Sequence, residues 1–184
     1  EHWRAQGLQF DAVICGTLKR HAQTLTGIQQ GLGTAHTPLL WPGLNEYDSE
    51  AVIRTVHTGE LVKPTTQEGY RDHFRLLRDG LTQWMAGVVS PQGMPTYVDF
   101  VKGVTSALDH IRLNVQGNVL LVSSGGPIAT AVGHVLRLSP ETSIELNLRI
   151  RNSAVSEFSF NPKRHSLVAF NSITHLETPS HKDW

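Results

Sequence analysis

The sequence predicts an α/β fold with a mainly parallel sheet, and two observations support this class. An apolar run from Phe10 to Cys15 is followed by a turn at Gly16 and a helical pattern, and the same order recurs after the apolar run from Val119 to Val122. Short apolar runs of this kind are typical of strands buried on both faces of a parallel sheet. The 184 residues, of which 39% are hydrophobic, suffice for a single domain with a substantial core.

The N-terminal half predicts helices that are separated by turns. The chain opens with the end of a helix that stops at Gly7, and another helix follows Leu44–Tyr47 and continues through Val56. Further along, apolar residues recur at steps of three and four, which predicts an amphipathic helix whose aromatic stripe packs in the core. This stripe comprises Tyr70, Phe74, Leu77, Leu81 and Trp84.

The C-terminal half predicts one more long helix and several strands. Thr96 is a candidate N-cap for a helix that leads to the second apolar run. Alternating polar and apolar residues then predict strands that begin at Ile144 and at Val155. A turn at Asn161–Arg164 leads into a final strand, and the last two strands are close enough in sequence to pair as a hairpin.

Composition restricts the partners and the compartment. Sixteen Lys and Arg residues balance sixteen Asp and Glu residues, so no overall field favours nucleic acid or an anionic membrane, and neither is expected as a partner. The single cysteine, Cys15, lies in an apolar run and fits an inert thiol in a reducing compartment, so a cytoplasmic location is expected. The ten histidines show no H-E-x-x-H or paired Cys/His spacing, so no metal site is expected.

The stretch Val119–Ala129 is the best candidate for a ligand site. Its Gly-Gly turn runs directly into a helix in which Pro127 suits the first turn. Such a turn aims backbone N–H groups and the positive end of the helix dipole at an anion, most often phosphate, although the same pattern is common as plain turn chemistry. Ligand groups gather beyond the carboxyl ends of parallel strands, so Arg20 and Ser123–Gly126 are expected to share one rim.

Four segments match one known family in order and spacing. They are F-D-A-V-I-C-G-T-L-K-R-H-A-Q-T, L-N-E-Y-D, V-L-L-V-S-S-G-G-P-I-A and N-S-I-T-H-L. Together they resemble the histidine phosphatase superfamily, also called phosphoglycerate-mutase-like, over most of the chain from Leu8 to Leu176. The resemblance implies a three-layer α/β/α sandwich around the parallel sheet.

The resemblance also implies roles for individual residues. The first segment is similar to the family's F-D-x-V followed by S-x-L-x-R-A-x-Q-T, which makes Arg20 the phosphate-clamping arginine. L-N-E looks like the family's loop acid, which makes Glu46 the proton donor, and V-S-S-G-G aligns with V-S-H-G-G, which makes Gly125 a backbone donor to phosphate. Without the resemblance, Arg20 could equally be a surface helix arginine and Glu46 an acid at a helix start.

Three further residues are candidates for the pocket. Ser123 lies in the glycine turn, and Asn171 and His175 lie in N-S-I-T-H-L, which matches a recurrent ending of the family. A purely structural histidine is the alternative for His175.

The sequence departs from the family pattern at the nucleophile. The family carries it in an upstream L-x-R-H-G segment, whereas here Arg20-His21 is followed by Ala22 and no R-H-G occurs. We therefore expect the native protein to continue upstream of Glu1 with a central strand that carries this histidine. Without that strand its neighbours would expose unpaired edges, so the printed segment alone is expected to be unstable or to associate, for example as a homodimer.

A second departure is Ser124, which stands where the family has its second histidine. A serine hydroxyl is a weaker, neutral donor, and the loss of one preorganised group costs about 3 kcal/mol, or two to three orders of magnitude in rate. Gly16 likewise stands where the family usually has serine. If the protein is an enzyme, Ser124→His is expected to raise its turnover.

The sequence favours one function and leaves one alternative. The favoured function is a phosphatase that hydrolyses a small phosphate ester through a phosphohistidine intermediate and needs no cofactor. The alternative, which Ser124 favours, is a catalytically weak or inactive phosphate-binding or scaffolding member.

A mutase is disfavoured because no E-R-x-Y-G follows Glu46, and a Rossmann nucleotide site would need G-x-G-x-x-G. A serine hydrolase is disfavoured because G-x-S-x-G would need glycine at Val122.

Overall fold

The centre of the fold is a parallel sheet of three strands. The computed structural model describes residues 1–176, and within them β1 (Ala12–Cys15) lies between β2 (Leu39–Leu40) and β3 (Val119–Val122). β1 and β3 pair over their whole length, with Ala12 opposite Val119 and Cys15 opposite Val122. The predicted parallel sheet is thus confirmed. In the described part of the chain β3 pairs with β1 alone, so its other edge is open.

Helices cover both faces of this sheet. Successive side chains of a strand point to opposite faces, and in β1 the side chains on both faces are apolar and buried. Val13 and Cys15 pack with Leu25 of the helix that follows β1. Ile14 points the other way and packs with Ala107 and Ile111 of a long helix before β3. The α/β layering is therefore confirmed. The helices are α1 (His2–Ala5), α2 (Lys19–Leu32), α3 (Ser49–Arg54), α4 (Gln67–Met85), α5 (Tyr97–Asn114), α6 (Gly125–Leu136) and α7 (Pro140–Asn147).

The predicted aromatic stripe of α4 is only half in the core. Leu77, Leu81 and Trp84 are buried against α3 and α5, as predicted. Tyr70 and Phe74, in the first turns of α4, are 49% and 45% exposed, so the prediction is wrong for them. The spacing of apolar residues defines a helix face, but it does not define how far along that face a neighbouring element extends.

The strand predicted from Ile144 is wrong, since these residues form α7. Ser139 caps this helix by accepting a hydrogen bond from the Thr142 N–H at 3.3 Å, and Pro140 occupies its first turn. Ile144 and Leu148 are four residues apart, a spacing that suits both a strand face and a helix face, and both pack into the helical cluster. The cap and the proline decide between the two.

The two C-terminal strands form a separate antiparallel hairpin, as predicted. β4 (Val155–Asn161) pairs with β5 (Arg164–Ser172). The turn between them is held by Asn161, whose Oδ1 accepts hydrogen bonds from the N–H groups of Lys163 and Arg164 at 2.8 and 3.1 Å. This is the local side-chain-to-backbone bonding that makes asparagine common in turns.

The contact between α3 and α4 depends on the absence of a side chain at Gly80. A Cβ there would lie 2.7 Å from the carbonyl oxygen of Val52 and 2.8 Å from its Cγ1. We expect Gly80→Ala to lower the free energy of unfolding by about 1–3 kcal/mol, because the two helices must separate. Urea denaturation measures this effect.

Gly27, in the middle of α2, provides the matched control. Nothing lies within 4 Å of the place where its Cβ would stand. Gly27→Ala is therefore expected to raise the free energy of unfolding by up to about 1 kcal/mol, through helix propensity alone. Equal effects of the two substitutions would contradict the close packing of α3 on α4.

Candidate active site

Arg20 and Ser124 meet at the carboxyl end of the sheet. Arg20 lies in the first turn of α2, which follows β1, and Ser124 is the N-cap of α6, which follows β3. The Arg20 Nε donates a hydrogen bond to the Ser124 Oγ at 3.2 Å, although 104 positions separate the residues in sequence. Because β1 and β3 are parallel neighbours, the segments that follow them lie at the same rim.

Glu46 reaches the same helix N-terminus from the other side. It follows the short 3-10 turn Pro42–Leu44, and both of its carboxylate oxygens accept the N–H of Gly126, at 3.0 and 3.1 Å. A Cβ at Gly126 would lie 2.6 Å from the Tyr47 ring and would also collide with the Glu46 carboxylate. Sequence reasoning chose Gly125 as the phosphate donor and missed the role of Gly126, whose glycine is required for this close approach.

Burial raises the pKa of the Glu46 carboxyl above its ordinary value. The hydrogen bonds from Gly126 and Tyr47 N–H groups and the positive charge of Arg20 oppose this rise and are smaller. Burial is therefore the dominant cause of the raised pKa. Asp48 instead caps α3, accepting the N–H groups of Glu50 and Ala51 at 2.9 and 3.1 Å. A carboxyl with a raised pKa is suited to act as a general acid.

The first turn of α6 leaves one backbone donor, the N–H of Gly125, available for an anion. Ser124 is the N-cap, but its side chain makes no capping hydrogen bond to the helix. The N–H of Gly125 takes part in none of the hydrogen bonds in the described residues, whereas that of Gly126 is taken by Glu46. The N-terminal end of α6 and the guanidinium of Arg20 are the positive groups at this rim, and the Glu46 carboxyl lies beside them.

An open cleft lies beside these groups. It has a volume of about 480 Å³ and is lined by Leu18, Arg20, Glu46, Tyr47, Asp48 and Ser49. This is large enough for a small phosphate ester.

Among residues 1–176, no cluster of three or more His, Cys, Asp and Glu side chains could hold a metal ion. No helix in this range is both long and apolar enough to cross a bilayer.

His21 is a site residue that sequence reasoning missed. Its side chain is 2% exposed, and its Nε2 lies 2.5 Å from the Ser124 Oγ. Burial and, secondarily, the charge of Arg20 lower the pKa of this imidazole. The sequence offered one signal, a histidine directly after the candidate phosphate-clamping Arg20. Because Ala22 follows in place of glycine, Arg20-His21 is not the R-H-G motif, and the sequence assigns no role to His21.

The other candidate pocket residues make contacts that position the chain. Ser123 donates a hydrogen bond to the carbonyl of Leu44 at 2.7 Å and so holds the loop that carries Glu46. Asn171 has a positive φ of 57°, and its side chain joins β5 to the segment after α7 through the N–H of Arg151 and the carbonyl of Arg149.

His175 lies against α1. Its ring stacks near Trp3 at a centroid distance of 6.5 Å. These contacts of Asn171 and His175 do not join them to Arg20, Glu46 or Ser124, so their role in the pocket stays a prediction.

Comparison with known proteins decides the family. The model of the histidine phosphatase superfamily, branch 1, matches residues 3–173. The chain belongs to this superfamily. No protein in a search of curated sequences matches it. Among solved structures it is similar to the crystal structure of a histidine-to-alanine mutant of phosphoserine phosphatase from Entamoeba histolytica in complex with phosphoserine. That likeness has a TM-score of 0.60 and 21% identity over 96% of this chain and 82% of the other, and it supports the fold.

The raised pKa of Glu46 in this histidine phosphatase family member has a consequence for stability. A carboxyl whose pKa is higher in the folded than in the unfolded chain binds protons more tightly when folded, so stability falls as the pH rises from the ordinary value of 4.5 through the raised pKa. We therefore expect Glu46→Gln to raise the melting temperature at pH 7.

The pH dependence of the higher melting temperature of Glu46→Gln serves as the control for this prediction. The difference between Glu46→Gln and the wild type should shrink as the pH approaches 4.5, where the wild-type carboxyl also becomes neutral. Thermal melts followed by circular dichroism at a series of pH values measure it. A variant that is less stable than the wild type at pH 7 would contradict burial as the dominant influence on the Glu46 carboxyl.

Proposed function

We propose that the protein is a phosphoric monoester hydrolase acting on a small phosphate ester. The observation that carries this proposal is the convergence of Arg20, Ser124 and Glu46 at the N-terminus of α6. Phosphoryl transfer needs cations and N–H groups around the phosphoryl oxygens and an acid for the leaving group. One rim of the sheet supplies all of these groups.

Each residue has a separate role in the proposal. Arg20 offers a planar, bidentate donor to the phosphoryl oxygens, which lysine cannot reproduce. Gly125 adds a backbone N–H, and Ser124 adds a hydroxyl. Glu46 gives its proton to the oxygen of the leaving alcohol, for which its buried position and raised pKa are suited.

The proposal assigns the nucleophile to a histidine upstream of Glu1, on a strand that pairs with the open edge of β3. That edge and the absence of R-H-G from the printed sequence support this assignment. An imidazole nitrogen there would form a bond to phosphorus while the bond from phosphorus to the ester oxygen breaks, and the alcohol would leave with the proton from Glu46. Water would then attack the phosphohistidine, releasing phosphate and restoring the free imidazole.

The alternative function is phosphate binding or scaffolding with little or no turnover. Ser124 favours it, because a neutral hydroxyl stabilises the charge of a transferring phosphoryl group less than an imidazolium does. Both functions predict binding of phosphate esters, and they differ only in turnover.

A turnover assay on the protein with its upstream sequence separates the two functions. p-Nitrophenyl phosphate and O-phosphoserine are suitable substrates, the second chosen because the phosphoserine phosphatase above shares the fold. We expect phosphate release, an acid-labile phosphoenzyme after quenching, and loss of both when the upstream nucleophilic histidine is replaced by alanine. Activity that survives that replacement would reject the phosphohistidine route, and binding of O-phosphoserine without turnover would favour the alternative.

A further inference from the structure

His21 occupies an unusual position for a titratable side chain on a surface helix. Lys19, Arg20 and Ala22 beside it are exposed, whereas its own ring is 2% exposed and faces inward, as does Leu25 one turn later. Its Nδ1 is buried against the Gly16 backbone and makes no well-aligned hydrogen bond among residues 1–176, and its Nε2 meets the Ser124 Oγ at 2.5 Å. The hydrogen bond of His21 that spans distant parts of the chain is therefore the one with Ser124.

The ring fits there because position 16 is glycine. A Cβ at Gly16 would lie 2.7 Å from the His21 Cε1 and would collide with its Nδ1. The φ of Gly16 is not in the left-handed region, so the backbone does not require glycine at this position. Glycine is required at position 16 because the His21 imidazole fills the space that a Cβ would occupy.

Three differences from the quoted motifs therefore meet at one point. Where S-x-L-x-R-A-x-Q-T has serine and alanine, this chain has Gly16 and His21, and where V-S-H-G-G has histidine, it has Ser124. In the structure His21 contacts both Gly16 and Ser124. Relative to the two motifs, this chain lacks the histidine after β3, at position 124, and has an additional histidine in α2, at position 21.

We propose that His21 is a positioning residue that acts through Ser124, so that the pair replaces the imidazole absent from position 124. Ser124 is the group that contacts the phosphoryl oxygens, and the His21 Nε2 and the Arg20 Nε hold its Oγ from two directions. Gly16 completes the arrangement by leaving room for the ring. This inference rests on the proposed function for the identity of the ligand, a phosphate group.

The arrangement changes what Ser124→His is expected to do. A second imidazole at position 124 would be built into the space that the His21 ring fills, because only 2.5 Å separates the His21 Nε2 from the Ser124 Oγ. Ser124→His alone is therefore expected to bring no gain in turnover. The gain expected from sequence should appear only when His21→Ala removes the competing ring.

Binding of inorganic phosphate tests the proposal without requiring turnover. Isothermal titration of the protein with its upstream sequence should show affinity about tenfold to a hundredfold weaker for Ser124→Ala, the loss of a hydrogen bond to a charged group. His21→Phe, which keeps a buried ring but no nitrogen, should weaken binding about tenfold. His21→Gln, which keeps a polar atom near Nε2, should remain within about threefold of the wild type.

A double-mutant cycle and a pair of glycine variants complete the test. His21→Phe should cause no further loss when Ser124 is already alanine, because its effect passes through the hydroxyl. Gly16→Ser should reproduce the loss by displacing the ring. Gly27→Ser in α2, the helix that carries His21, should leave the affinity unchanged, because nothing lies within 4 Å of the added Cβ.

Two results would overturn the inference. One is wild-type phosphate affinity in His21→Phe or in Gly16→Ser, with melting curves showing that the variant is folded. The other is a loss in His21→Phe that is equally large with and without the Ser124 hydroxyl, which would make His21 a structural residue. If the wild type binds phosphate but releases none from an ester, the proposed hydrolase activity fails while the role of His21 is still decided by these affinities.

Discussion

Arg20→Ala is expected to lower kcat/KM for p-nitrophenyl phosphate by about two to three orders of magnitude. The guanidinium is the cation placed at the rim where β1 and β3 end, and its Nε also holds the Ser124 hydroxyl at 3.2 Å. In the proposed hydrolase, removing it would take away a charge-assisted contact to the phosphoryl oxygens, and it also removes the donor to the Ser124 hydroxyl. Both losses grow as charge develops in the transition state, so kcat should fall together with affinity.

Arg20→Lys should recover little of this loss. A lysine ammonium keeps the charge but has a single nitrogen. It lacks the separate Nε–H and terminal N–H groups with which a planar guanidinium can bond Ser124 and phosphate at the same time. Arg75→Ala is the matched control, because Arg75 is an exposed arginine on α4 whose ion pair with Asp72 is solvent-exposed. Steady-state kinetics of the three variants give the comparison, and activity in Arg20→Ala equal to that in Arg75→Ala would remove Arg20 from the site.

Glu46→Gln is expected to have the second large effect, and its size should depend on the leaving group. The amide retains the shape of the side chain and an oxygen that can accept the Gly126 N–H, but it has no proton to give. For O-phosphoserine, whose alkoxide is a poor leaving group, we expect kcat to fall by about two to four orders of magnitude. For p-nitrophenyl phosphate, whose phenolate leaves without protonation, the loss should be much smaller.

The pH profile of the wild type provides a second check on Glu46. As a general acid it works only while protonated, so activity toward O-phosphoserine should fall as the pH rises through its pKa, which burial holds above the ordinary carboxyl value. Glu46→Gln should lack this descending limb. Asp48→Asn is the control, since it removes a nearby carboxylate while asparagine still caps α3. Loss of O-phosphoserine turnover in Asp48→Asn to the same extent would move the acid role away from Glu46.

Local patterns in the sequence were enough to predict much of the scaffold. The apolar runs of β1 and β3, the Thr96 cap of α5 and the Asn161–Arg164 turn each depend on interactions between residues close in sequence. They could be predicted because a strand pattern, a cap or a turn is completed within a few positions. The α7 helix shows the limit of such patterns, because Ile144 and Leu148 suit both a strand and a helix.

Only the tertiary structure decided how the site is composed. Arg20, Glu46 and Ser124 could each be proposed from motifs, but Gly126 and His21 could not, since their roles consist of contacts across 80 and 103 positions. The same holds for Gly16, which is an ordinary turn glycine in the sequence and the space for a buried imidazole in the fold. The sequence by itself therefore determined the family, the parallel strands β1 and β3 and the identity of three candidate site residues. Distances between remote segments, which no local pattern encodes, determined which backbone N–H binds Glu46, why Tyr70 and Phe74 remain exposed, and which imidazole contacts the Ser124 hydroxyl.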